Sequence, residues 1–545
     1  MNTPATTLGW SIAFWLALCG GGQSAELKPT QASRLKRIRD RPGVGSTIVR
    51  NWPMGVYNIG TDSGRPIPKN RGPAPCLAQM VQLQKAQAKV IVNRSFACAS
   101  GFYESVSTPG LSGGARESAD DADDNVSAVP ADNGKAASLA ADWPQFRGPD
   151  GQGHSPAAGL PLRWSESKNI AWKVRIPGSG WSSPVIKDGQ IWLTTAIDEG
   201  HSLRALCLDS DTGAKLHDVE VFAKDEPGRI HPKNSHATPT PILEGDRVYV
   251  HYGAHGTACL SDAGKILWKA DLPYYHHHGP GSSPVVVDGL LIVACDGYTA
   301  PFYDKLSRAG VDKFQFVAAL DKLTGKTAWK RGRDGQHAYA TPLAIEVAGA
   351  VQVISPGGNR VVAYDPSTGE EIWWCLYKGY SVVPRPVFAH GLVYVCTGYD
   401  NPSLLAIRPD GRGDVTDTHV AWKVQQGVPL NPSPLVVDEE LYLISDAGIA
   451  TCLDAKTGER HWRNRLGGTF WASPIAAGGH IYALSDAGVT HVLVPGVKYK
   501  RLASNLLEGR TLASPAVSGK ALVIRTDRFL YKVEEPSIPA RRASE

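Results

Sequence analysis

The sequence predicts an all-β fold: an eight-bladed β-propeller of four-stranded antiparallel blades, with seven blades as the alternative. Three observations carry that expectation. A proline marker recurs along the chain, a turn motif follows it in several repeats, and the two ends of the repeat region complement each other.

The marker is a proline, usually preceded by Ser or Thr, that opens a short apolar run. It stands at Pro184, Pro241, Pro284, Pro342, Pro386, Pro434, Pro474 and Pro515, at intervals of 40 to 58 residues. Periods of this length signal propellers or solenoids. Each proline is followed by a short apolar run, a turn and a second run, as in SPVIKDGQIWLTT, SPVVVDGLLIVAC and SPLVVDEELYLIS. β-branched residues in runs this short indicate strands joined in hairpins.

The turn motif reads Asp, two residues, Thr-Gly, then Trp four residues after the Gly. It occurs as Asp321, Thr324-Gly325 and Trp329, as Asp365, Thr368-Gly369 and Trp373, and as Asp454, Thr457-Gly458 and Trp462. The first repeat keeps Asp209 and Thr212-Gly213 without the Trp; the second and fifth keep Trp268 and Trp422 with altered turns. In a tight turn between third and fourth strands, Asp accepts backbone N–H bonds and Gly takes positive φ. The Trp then fills the space between blades, so Trp329, Trp373 and Trp462 are expected to be mostly buried. Four radially arranged strands per repeat make a propeller blade.

The last repeat, SPAVSGKALVIRTDRFLYKVE, has room for three strands. The segment Asn169 to Ile176 (NIAWKVRI), with its own Trp172, is expected to supply the fourth by pairing near Arg528 to Val533. Such a join of N- and C-terminal strands closes the ring and removes an exposed edge.

The propeller is therefore assigned to 142–535, with 536–545 as a tail. Residues 1–25 are read as a signal peptide. Leu8 to Leu18 is uncharged, but a membrane-spanning helix needs roughly 20 apolar residues. Gly22, Ser24 and Ala25 surround a cleavage point, although the region before the apolar run lacks Lys and Arg. Cys19 offers lipidation as an alternative to simple cleavage, against the bulk of Leu18. The expected location is the periplasm or cell envelope, with no transmembrane span beyond the signal. Residues 26–141 carry a basic patch (Arg34-Leu35-Lys36-Arg37) and an acidic stretch (Asp120, Asp121, Asp123, Asp124), and neither hydrophobic period persists. They are read as a low-order linker or extension, or as the result of a start site placed too early.

Composition agrees with a turn-rich β protein: 57 Gly and 39 Pro in 545 residues, 42% hydrophobic and 20% charged. The net charge of +5, without a dense basic stripe, gives no reason to expect nucleic acid as a partner. Nine cysteines show no CxxC and no adjacent pair; Cys207, Cys259 and Cys452 occupy matching repeat positions, as do Cys295 and Cys396. Buried thiols are expected, in place of a metal or disulfide framework.

The repeats resemble the PQQ-like β-propeller family over about residues 142 to 535. Trp143-Pro144-Gln145-Phe146-Arg147-Gly148 and Gly180-Trp181-Ser182-Ser183-Pro184 look like a subgroup of exported bacterial propellers described as BamB-like or PQQ-binding-like. That subgroup implies a non-catalytic envelope scaffold or binding propeller with other envelope proteins as partners. The wider family also contains quinoprotein alcohol dehydrogenases, so a PQQ-dependent alcohol or sugar dehydrogenase is the alternative. A quinoprotein of that kind implies adjacent cysteines, a Trp stacked on the cofactor and carboxylates around Ca²⁺. Adjacent cysteines are absent; Trp181 or Trp471 could stack, but no carboxylate set is identifiable. Fold alone does not settle function. No catalytic residue is assigned and no cofactor is expected from these residues; PQQ is possible but unsupported. The kinase signatures, G-x-S-x-G and H-E-x-x-H are not present.

In a propeller, the loops between blades share one face with the second-to-third strand hairpins. Residues just before each marker proline should ring the mouth of the central channel on that face. Shared offsets from the marker select Trp181, His236, His337, Tyr339, Arg385, Trp471 and Arg510 as a candidate ligand site. Arg385 stands where the other seven repeats have Ser or Thr. Aromatics, histidines and arginines at one mouth suit a small planar or anionic ligand; the competing view is a plug of side chains bonded to one another. Histidines also concentrate at His231, His236, His251, His255 and His276-His277-His278. Imidazoles converging on one face could bind zinc or copper, but with no Cys or carboxylate at ligand spacing they are read as a surface cluster without metal.

Overall fold

A computed structural model describes residues 142–274, 276, 278–297 and 315–536. The expected signal peptide, the extension 26–141 and residues 537–545 of the tail lie outside the described residues.

Eight sheets form the eight blades, seven built from four antiparallel strands of one repeat and the eighth from three strands of the last repeat and one from ahead of the first. The innermost strands are Val185–Lys187, Ile242–Glu244, Val285–Val287, Leu343–Val347, Val387–Ala389, Leu435–Val437, Ile475–Ala477 and Ala516–Ser518. Each begins one residue after its marker proline. Proline has no N–H for a strand ladder, so it takes the position just ahead of the first pairing residue. Ring closure follows expectation: Ile170–Arg175 pairs antiparallel with Phe529–Val533, with Trp172 opposite Lys532, and completes blade eight.

The Asp-x-x-Thr-Gly turns join third and fourth strands. Asp321 Oδ1 accepts the Thr324 N–H at 2.8 Å and the Thr324 hydroxyl at 2.7 Å, and Asp454 does the same for Thr457 at 2.7 and 2.9 Å. Those bonds hold the Asp321 carboxyl below the usual carboxylate range. The Gly of each turn has a second role. A Cβ on Gly213, Gly325, Gly369 or Gly458 would strike the ring of Trp172, Trp268, Trp329 or Trp422, each from the preceding blade. Three of these indoles also donate to a carbonyl of that turn: Trp172 to Ser210 (3.1 Å), Trp268 to Lys322 (3.0 Å) and Trp329 to Pro366 (2.8 Å). The motif is thus half of a joint between neighbouring blades.

Burial of the motif tryptophans varies with what covers them. Trp329 and Trp373 are buried, but Trp462 is only half-buried, its Nε1 donating to Gly496 O at 2.9 Å. Blade seven, which Trp462 faces, has no Asp-x-x-Thr-Gly turn to cover it. Trp373 is fully enclosed for a different reason. The altered turn of the fifth repeat sends Gly413–Asp414 across to pair in parallel with Trp373 and Trp374, adding a fifth strand to blade four. Trp373 Nε1 donates to Gln352 Oε1 at 2.8 Å.

The described cysteines Cys207, Cys259, Cys295, Cys375, Cys396 and Cys452 are free and buried, as expected. Among the described residues, helix is confined to the 3₁₀ turns Asp198–Gly200 and Gly253–His255, and no helix is long and apolar enough to cross a membrane.

Candidate functional site

The residues preceding the marker prolines form a belt around the axis. In seven of the eight, the backbone N–H donates to the hydroxyl of its counterpart in the next blade. Ser183 donates to Thr240 (3.0 Å), Thr240 to Ser283 (2.9 Å) and Ser283 to Thr341 (2.9 Å). Beyond the gap, Arg385 donates to Ser433 (2.9 Å), Ser433 to Ser473 (3.0 Å), Ser473 to Ser514 (2.9 Å) and Ser514 back to Ser183 (3.1 Å). These buried N–H groups would otherwise lack partners, which explains the Ser/Thr preference seen in sequence. Arg385 offers no hydroxyl to Thr341. Its guanidinium spans the gap instead, with Nε donating to Pro342 O at 3.0 Å.

Arg385 also holds a plug. Its Nη1 donates to Phe146 O at 2.7 Å. The segment from Trp143 to Ser155 runs past five innermost strands. Trp143 exchanges backbone bonds with Ile186 (2.8 and 2.9 Å), and Pro144 O accepts from Leu243 N (2.8 Å). Gln152 Oε1 accepts from Phe388 N (2.5 Å), His154 Nε2 meets Val436 O (2.6 Å), and His154–Ser155 pairs in parallel with Ala476 and Ala477. Arg147 reaches Pro434 O (2.8 Å) and Pro474 O (3.4 Å). Because innermost strands line the axis, this segment fills the channel on the side of the first hairpins. Burial lowers the guanidinium pKa of Arg147 to about 9 and of Arg385 to about 10. Arg525, lowered by burial to about 9, bonds Ser182 O (3.1 Å) and Oγ (2.7 Å) across the closure between blades eight and one.

The seven mouth candidates separate into groups. His337 and Tyr339 lie together, ring centroids 5.7 Å apart, with His278 beside both and Tyr380 against His337 at 5.4 Å. The Tyr339 hydroxyl meets His278 Nδ1 at 2.9 Å. His236 belongs to a second histidine group. Arg385 sits on the axis between belt and plug. Trp181, whose N–H donates to Ala237 O at 3.1 Å, and Trp471 are half-buried; Arg510 is exposed, its backbone N–H on Asp527 Oδ1 at 2.9 Å. Lys233, in the loop entering blade two, places Nζ 4.4 Å from the ring centroid of Trp471, which precedes the marker of blade seven. That loop therefore reaches across the mouth.

The second group corrects the expectation of a surface histidine cluster. His236, His255 and His276 are buried, at 2%, 9% and 9% exposure. His236 precedes blade two, His255 ends the 3₁₀ turn of that blade's upper hairpin, and His276 lies on the exit to blade three. His236 Nδ1 and His255 Nε2 are 3.1 Å apart, and the His255 and His276 ring centroids 5.3 Å apart. His277 lies outside the described residues. Two concavities lie away from all these groups. One, of about 360 Å³, is lined by Asp142, Asp188, Asp211, Lys520 and Lys532; the other, of about 500 Å³, by Tyr377, Lys378 and Lys423.

The family model described as "Outer membrane protein assembly factor BamB" matches residues 162–302, 313–437 and 411–533. The chain belongs to this family. Its matched stretches span the eight blades and begin after the plug. No curated protein matches the chain by sequence. Among solved structures, the chain is similar to BamB from Moraxella catarrhalis, at 14% identity and a TM-score of 0.47, over 67% of this chain and 99% of that one. It is also similar to a quinohemoprotein alcohol dehydrogenase, ADHIIG, from Pseudomonas putida HK5, at 11% identity and a TM-score of 0.53, over 75% and 83%. The second likeness shows a shared fold alone.

A flat quinone held with Ca²⁺ would need an open aromatic face and free carboxylates at this mouth. Lys233 lies over Trp471. Asp446 is bound by Asn431 and by Leu430 N (2.7 Å), Asp527 by Arg510 N (2.9 Å), and Asp296 by Arg333. The Trp471 ring and these three carboxylates are thus already engaged by protein groups.

Sequence reasoning missed the plug and Lys233. The only local sign of the plug was the block Trp143 to Gly148 with Gly151 and Gly153, which precedes the first strand and follows no repeat.

Proposed function

We propose that this chain is a non-catalytic, exported binding propeller of the cell envelope that engages other envelope proteins through its channel mouth, with Trp181, His236, His337, Tyr339, Arg385, Trp471 and Arg510 as the mouth set. The observation that carries the proposal is the Lys233–Trp471 contact over an axis filled from the opposite side. Around that contact the described residues present aromatic and cationic groups. Trp, Tyr and Arg are the residues that most often anchor protein interfaces. Within the set, Arg385 supports the mouth from below, while Trp471, Tyr339 and Arg510 are the contact groups. Membership of a family described as an outer membrane assembly factor supports a protein partner and an envelope location.

A photo-crosslinking residue placed at Trp471 or Arg510 tests this in envelope extracts, against the same residue at Leu323, an exposed position on the opposite face. Specific adducts from the mouth positions alone are expected. Equal adducts from both faces would remove the mouth as the recognition surface. The dehydrogenase alternative is tested by supplying PQQ and Ca²⁺ and following dye reduction with alcohols or sugars; turnover would overturn the non-catalytic assignment.

A further inference from the structure

The geometry points to a metal site at His236, His255 and His276, built to take a borderline first-row cation, zinc or copper, on three imidazoles. It shares His236 with the proposed mouth set, but its ligands and its test are its own: it does not require a protein partner, and metal uptake is read separately from crosslinking.

Each of the three side chains offers a ring nitrogen, and these nitrogens lie within 4.8 Å of one another. A tetrahedral zinc ion with Zn–N bonds of about 2.0–2.1 Å places its ligand nitrogens about 3.3 Å apart. The His236–His255 pair, at 3.1 Å, already has that spacing. His276 need only swing inward to complete three corners. Three protein nitrogens leave the fourth position for water or an anion, the pattern of sites that keep an open coordination position.

The surroundings favour the ligating form of each ring. Metals bind neutral imidazole, and burial disfavours the protonated form at all three residues, with the neighbouring histidines adding to it at His255 and His276. No carboxylate is recorded against any of the three among the described residues. Glycine backbone approaches two of the rings closely, which seats His236 firmly and brings the chain up beside His276. A Cβ on Gly200 would collide with the His236 ring, and one on Gly253 would lie 2.9 Å from His276 Nδ1; both glycines have positive φ. The nearby His251 is occupied elsewhere, its Nδ1 on the Thr257 hydroxyl at 2.8 Å.

One contact competes. His276 Nδ1 accepts the Ala254 N–H at 3.2 Å. Metal binding either replaces that long bond at Nδ1 or releases the ring to present Nε2. The 3.1 Å contact between His236 Nδ1 and His255 Nε2 is the other one that metal binding would replace.

Imidazole suits both zinc and copper, so the probes are Zn²⁺ and Co²⁺ on metal-stripped full-length protein without a histidine tag. Titration calorimetry against a competing chelator is expected to show one tight Zn²⁺ equivalent. His255→Ala and His276→Ala should each weaken it by about a hundredfold or more, beyond the 10–100-fold typical of outer-shell partners. His491→Ala, at a buried histidine in blade seven, should leave it unchanged. Co²⁺ should give the intense visible bands of a low-coordinate site, absent in the His255 and His276 variants. Where an alanine variant fails to fold, His255→Gln keeps the volume, and X-ray absorption on the wild-type zinc form should count three imidazoles. No zinc uptake, uptake unaltered in His255→Gln or His276→Ala, or fewer than three imidazoles would overturn the site.

Discussion

A Cβ placed on Gly369 would lie 2.5 Å from Cε3 of Trp329, the indole of the preceding blade. The turn glycine is therefore constrained twice, by φ of +71° and by the neighbouring ring. Gly391 has the same φ of +71° but open space around it. Gly391→Ala is expected to cost about 1–2 kcal/mol, the backbone strain alone. Gly369→Ala should add about 1–3 kcal/mol of overpacking, and Trp329→Ala alone should cost about 3–5 kcal/mol. Denaturant midpoints of the single and double variants separate the contributions. In a Trp329→Ala background, Gly369→Ala should fall to the Gly391→Ala level; additive costs would contradict the joint.

The belt makes a second expectation. Ser433→Ala leaves the buried Arg385 N–H without an acceptor and should cost about 1–3 kcal/mol. Ser518→Ala, at the outer end of an innermost strand, should stay within about 0.5 kcal/mol. Arg385→Ala removes the donors to Phe146 O and Pro342 O. Charge-assisted bonds are worth about 1.5–3 kcal/mol each, so protease cleavage between residues 143 and 155 should accelerate in that variant. An unchanged cleavage rate would mean that the plug is held elsewhere.

Asp296 and Arg333 form an ion pair at 3% and 2% side-chain exposure, with the guanidinium also bonded to Ser355 Oγ at 2.9 Å. Removing one partner leaves the other charged and enclosed. Asp296→Ala is expected to cost about 3–5 kcal/mol. Glu439→Gln, in the exposed pair with Lys456, should leave the melting midpoint where it is.

Acid should weaken the fold before the carboxylates titrate. Burial holds His251 and His491 down to about 4, against about 6.5 for a free imidazole. With the folded value depressed, the unfolded chain binds protons first. Their contribution is complete above pH ~6.5 and is lost as pH falls toward 4, by about 1.4 kcal/mol per pH unit for each histidine. Urea midpoints measured across that window check this, and His491→Gln should flatten the slope. A flat profile in the wild type would contradict the burial of both rings.

The sequence by itself determined the ring. Marker prolines, turn motifs and complementary ends are local patterns, because a strand or tight turn is fixed by residues a few positions apart. Eight blades, their order and the Ile170–Arg175 closure were legible for that reason. The tertiary structure decided what the recurring residues touch. The Ser/Thr before each proline proved to be a donor–acceptor belt, and Arg385, the exception, proved to bridge its gap and grip Phe146. His236, His255 and His276 converge through three separate connections of blade two, a meeting that their spacing does not encode. The plug and the reach of Lys233 to Trp471 follow no repeat; they depend on the closed ring, which brings blades two and seven within a loop's length of each other.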